Sequence, residues 1–164
     1  MSFLRMIEGL PFLVWVRESS SLWAFPTFLV LHTIGMAIVA GCTVMTSLAI
    51  LGFWPKISIR PLERLYPLMW FGFTINAVTG FVLLAADATT RLMNWDFYVK
   101  MIFVFLGVWL LHRTRRQVFG DLRLDQGIVP KGARLLACAS LVCWLGAIAA
   151  GRLLAYVGGT PGGR

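Results

Sequence analysis

His32 stands inside the run FPTFLVLHTIGMAIVAG, where the other polar residues are Thr27 and Thr33. An imidazole there can ligate a metal, handle a proton or bond across a helix interface. Two further basic groups share the apolar setting, Lys100 in NWDFYVKMIFVFLGV and Arg152 in GRLLAY. Ionisable groups inside lipid-soluble segments are functional candidates by default, whereas a Lys or Arg near a segment's end often snorkels to the interface with no ligand. Choosing between these readings requires the relative positions of the three groups, and hence the elements that carry them.

The chain has 164 residues, 59% of them hydrophobic and 13% charged. Soluble domains lie near half apolar and a quarter charged, so this composition indicates an integral membrane protein of one domain. The formal charge of +8 does not mark nucleic-acid binding, because the basic residues fall mostly in two short loops between apolar runs. Such a distribution records orientation in a bilayer. Cys42, Cys138 and Cys143 lie within apolar segments at no metal-ligand spacing and read as packing residues.

About twenty apolar residues cross a bilayer as a helix. Four segments qualify, near Leu22–Phe53, Leu65–Ala86, Phe97–Leu111 and Leu135–Val157. The fold expected is an all-α, four-transmembrane-helix bundle over residues 21–157. It is preceded by a short interfacial amphipathic helix in residues 1–20, where Arg5, Glu8, Arg17 and Glu18 alternate with large apolar groups. Residues 158–164, GGTPGGR, read as a flexible tail. The first loop carries Lys56, Arg60 and Arg64, and the third carries Arg113, Arg115, Arg116, Arg123, Lys131 and Arg134. The positive-inside rule puts both loops in the cytoplasm and both termini outside, as in a bacterial inner-membrane protein.

Helical rise then gives depths. His32 lies about 9 Å below the outer entry near Pro26, Lys100 about 6 Å below an entry near Asp96, and Arg152 about 7 Å below the exit near Val157. Three basic groups from three helices are expected in one layer beneath the outer surface. His112 falls about 24 Å from its outer entry, beside Arg113, and reads as interfacial. A haem held by both histidines of one chain would need them at nearly equal height, and about 15 Å separates them. Asn76 and Thr79 read as helix-packing hydrogen bonds.

A cationic layer beside a histidine suits a haem, with His32 as axial ligand to iron and Lys100 and Arg152 meeting the propionates. The second axial position would fall to another subunit, to Met36, Met69 or Lys100, or to nothing.

The strings WVRESSSLWAFPTFLVLHTIGMAIVAG, PLERLYPLMWFGFTINAVTGFVLLA, NWDFYVKMIFVFLGV and GRLLAY resemble a family of small four-helix bacterial membrane proteins known as a domain of unknown function. More distantly, LHTIGMAIVAG, ERLYPLMWFGF and Lys100 are similar to the membrane protoporphyrinogen oxidases and the copper-resistance membrane domain. The oxidase resemblance implies haem association, with His32 and Lys100 at the matching positions. It also implies an arginine and a second histidine soon after the first helix, where this chain has MTSLAILGFW. The unknown-function family usually carries an acidic and a basic residue near that point, against Ser47 and Ala49 here. The expected function is a haem-b-binding membrane subunit that transfers electrons within a larger complex or a homo-oligomer. The alternatives are a protoporphyrinogen-oxidase-like enzyme and a non-catalytic accessory subunit of a respiratory or photosynthetic assembly.

Overall fold

Proline sets three of the helix starts. Its fixed φ and missing N–H suit the first turn, where that donor has no intrahelical acceptor. Pro11 opens α1 (Pro11–Glu18), Pro26 enters the first turn of α2 (Phe25–Leu51), and Pro67 that of α3 (Tyr66–Ala85). A 3-10 turn over Arg60–Leu65 runs directly into α3. Next come α4 (Ala88–Leu92) and α5 (Trp95–Thr114), the latter capped by Asn94, whose side chain accepts from the Asp96 N–H at 3.0 Å. One π turn, Arg115–Phe119, prolongs α5, and a 3-10 turn at Leu122–Gln126 leads to α6 (Ala133–Val157). This computed structural model describes residues 6, 8–19, 21, 23–55 and 58–157, with backbone alone at 126 and 154–157.

The protein is an all-α membrane bundle. Four helical segments are long and apolar enough to cross a bilayer: Phe25–Leu51, Arg60–Ala85, Trp95–Phe119 and Ala133–Leu153. Their large apolar side chains are often exposed, as at Phe81, Phe105 and Leu145, which is the surface expected to meet lipid acyl chains. α2 packs most extensively on α3, α5 on α6, and α2 also meets α6. The neighbour order is therefore α3–α2–α6–α5. Small residues permit the closest approach: a Cβ on Gly35 would stand 2.7 Å from the Gly72 carbonyl oxygen, so α2 and α3 touch backbone to backbone.

At the arginine-rich end of the bundle, Ile50, Tyr66, Met69, Val118 and Phe119 form a tight core with Leu111, Leu124 and Ala137. The Tyr66 and Phe119 rings meet edge to face at 5.4 Å. This core explains where α5 ends. The span expected to stop near Leu111 continues helically through the basic residues, because Thr114, Val118 and Phe119 are buried against the neighbouring segments.

At the opposite end, α1 buries Leu13 and Val16 and leaves Phe12 and Trp15 exposed. Two contacts tie this N-terminal region to the α3–α4 turn. Glu8 Oε1 accepts from the Thr89 N–H at 2.6 Å, and Arg17 Nη1 donates to the Ala86 carbonyl at 3.5 Å. Residues 1–5 of the expected interfacial segment, and the tail expected over 158–164, lie outside the described residues.

Candidate functional site

α2 carries His32 on the side that faces α3. There the imidazole edge fills the notch left by a missing side chain, since a Cβ on Gly80 would come within 2.8 Å of His32 Cε1. Nδ1 lies 2.9 Å from the Asn76 carbonyl oxygen and 3.3 Å from Thr79 Oγ1. A carbonyl only accepts, so Nδ1 carries the proton and donates to it, and Nε2 is left with its lone pair. Asn76 answers through its own side chain, Nδ2 donating to the His32 carbonyl at 2.8 Å. Asn76 and Thr79 thus make the helix-packing bonds expected of them, and those same bonds fix the tautomer and direction of His32.

The free lone pair meets Lys100 of α5, whose Nζ stands 3.5 Å from Nε2. Contact between residues 68 positions apart puts both groups at one depth, as helical rise implied. Lys100 in turn lies along Gly151 of α6, where an added Cβ would sit 3.6 Å from Cε. The three basic groups expected together do not all meet. Arg152 is exposed and does not line the site. Successive helical residues point about 100° apart, so once Gly151 faces Lys100 its neighbour must turn outward.

Arg91 enters instead. It belongs to α4, the short helix folded over the mouth of the bundle, and it lines the same recess as His32, Lys100, Gly80, Phe97 and Gly151. The recess measures about 300 Å³, at the lower limit of small-molecule sites. Arg91 Nε is buried without a hydrogen-bond acceptor, and Asp87 Oδ2 lies 3.7 Å from it. No acidic residue lines the recess among those described. Two basic side chains and an imidazole therefore face one small volume in an apolar surround, an arrangement that favours an anionic guest.

The donor set also limits which metal chemistry fits. Among the described residues there is no group of three or more His, Cys, Asp or Glu able to hold an ion. A metal that brings its own equatorial ligands needs just one imidazole from the protein, and His32 has the required tautomer and a free Nε2. Lys100 Nζ occupies the direction along which Nε2 would bind, so occupancy requires that flexible side chain to turn aside. His112, the second histidine, is exposed near the arginine-rich end, beside Arg113, whose guanidinium stacks 5.7 Å over Trp109.

Comparison with family models, with curated proteins and with solved structures finds no significant match to this chain. The functional reading therefore rests on the geometry of the recess.

Proposed function

We propose that the recess holds a haem b and that the protein is an electron-transfer subunit of a bacterial inner membrane, working within a larger complex or a homo-oligomer. The carrying observation is the fixed His32 tautomer, with Nδ1–H spent on the Asn76 carbonyl and Nε2 directed into a cation-lined cavity. His32 Nε2 would hold the haem iron. Lys100 and Arg91 would pair with the two carboxylates of the macrocycle, Arg91 in the part expected of Arg152. Haem supplies one-electron transfer when bound. The chain's contribution is to orient the imidazole through Asn76 and Thr79, to leave room at Gly80 and Gly151, and to cover the mouth with α4. In the orientation set by the arginine-rich loops, this mouth opens toward the non-cytoplasmic face.

The test is an absorption spectrum of protein purified from haem-replete cells. A Soret band that shifts on reduction and vanishes in His32→Ala supports the reading. A colourless protein with intact helical content overturns it.

One observation favours a second reading, an enzyme resembling protoporphyrinogen oxidase. Lys100 Nζ touches His32 Nε2, so the pair can share a proton while Arg91 holds a substrate carboxylate. Rescue of a strain lacking its own oxidase would select this reading, and loss of rescue in Lys100→Met would assign the amine to it.

A further inference from the structure

The inner half of the bundle contains a second polar feature, independent of the recess. Thr43, Thr46 and Ser47 of α2, Thr114 of α5 and Ser140 of α6 line a small cavity of about 10 Å³, together with Tyr66 and Met69 of α3. Helical rise puts Thr43 about 16 Å further along α2 than His32. Thr46 Oγ1 donates to the Cys42 carbonyl at 2.8 Å in the usual backward bond of a helical threonine. Thr43 and Thr114 do not behave this way. Each residue is 5% exposed, and each Oγ1 is buried with no protein partner. An orphaned hydroxyl in a bilayer is costly, because no bulk solvent reaches it.

We infer that this cavity is a binding site for one internal water, which joins Thr43 on α2 to Thr114 on α5. The volume matches a single water, which needs about 10–15 Å³ of such space and two to four polar partners. Two partners are the orphaned hydroxyls, and the other hydroxyls of the lining are within the same cavity wall. No charged side chain lines it, so nothing there offsets the desolvation of an ion. The position also has a structural use. α2 and α5 stand diagonally in the order α3–α2–α6–α5 and are not among the closely packed helix pairs. A shared water ties that diagonal. These are also the helices that present His32 and Lys100 to each other at the far end.

Thr43→Val, Thr114→Val and the double variant test this by their unfolding midpoints in mild detergent. With a shared water, each valine lowers the midpoint, and the double variant falls no further than the worse single one. Without it, valine removes an orphaned hydroxyl and the midpoint rises or stays. Losses that add would mean separate partners, and either result overturns the inference. Should the valine variants fail to accumulate, a map of the unaltered protein that shows ordered water decides instead. Density within hydrogen-bond distance of both Oγ1 atoms supports the site, and an empty cavity refutes it. A midpoint that depends on sodium rather than choline in the buffer would assign a cation and also overturn the water.

Discussion

The same four helices treat their two ends differently. At the arginine-rich end they interlock around Tyr66, Phe119, Ile50 and Met69, all at most 2% exposed. At the other end they part around His32, Lys100 and Arg91, leaving about 300 Å³ between them. Polar groups follow the same division. In the recess, cations face one another without a lining carboxylate, whereas at the packed end Arg60 pairs with Asp125 at 3.2 Å and also donates to the Phe119 carbonyl. One end supplies cohesion, and the other opens a recess faced by Lys100 and Arg91. On the proposed haem reading, stability and binding fall to separable parts of the bundle, and the experiments below aim at that separation.

Phe119→Ala carries the largest expected effect. It deletes a ring that is 2% exposed and removes the edge-to-face contact with Tyr66, which costs about 3–5 kcal/mol. Reversible unfolding in detergent should show that loss, while the protein that remains folded keeps an unaltered recess. A recess that empties in step with Phe119 truncation would show the two ends to be one unit.

Gly80→Leu makes the converse cut. A Cβ at Gly80 already falls 2.8 Å from His32 Cε1, so the imidazole must leave its notch. Pigment affinity should drop on the order of 100-fold, about 2.7 kcal/mol. The unfolding midpoint should move little, since the opposite core is untouched. Titration of the apoprotein with haem measures the first quantity, and a midpoint that collapses along with binding would contradict the division.

The third comparison is between two arginines. Arg91→Gln removes a recess cation and should weaken haem binding about tenfold, or about 1.4 kcal/mol. Arg152→Gln removes an exposed one and should leave affinity unchanged. Equal losses from both would return Arg152 to the site and displace Arg91 from it.

These two arginines also mark the limit of what was legible. The four spans could be read because twenty apolar residues have few other uses, and the bounds of three moved little, Leu65–Ala86 becoming Tyr66–Ala85, while the third ran on from Leu111 to Phe119. The shared depth of His32 and Lys100 was legible because rise per residue is fixed. Azimuth was not. Whether Gly151 or Arg152 faces Lys100 depends on how α6 is rotated against α5, and hydropathy that is apolar all round gives no stripe to orient it. Arg91 was hidden for another reason. It lies in DATTRLMNWD, which reads as a connecting loop, and what ties α4 and the turn before it to the N-terminal region is long-range, Glu8 on Thr89 and Arg17 on Ala86. Thr43 and Thr114 gave no signal, because a threonine in a span ordinarily bonds back to its own helix.

The smallest effect expected concerns the cover on the recess. Glu8 Oε1 holds the Thr89 N–H at the start of α4 at 2.6 Å, across 81 residues of sequence. Removing its charge in Glu8→Gln keeps an acceptor in place but weakens a charge-assisted bond, a change of roughly 1 kcal/mol or less at a partly exposed position. Neither the Phe119 core nor the His32 notch is touched, so the midpoint and equilibrium affinity should both hold nearly constant. The expected change is kinetic. α4 carries Arg91, and a looser α4 should let haem enter and leave several times faster with the ratio preserved, as stopped-flow transfer to an apomyoglobin acceptor would show. Unchanged rates would mean that α4 holds its place through Ala86 and Ala88, both at most 4% exposed, and that the cover belongs energetically with the packed parts of the molecule rather than with the open end.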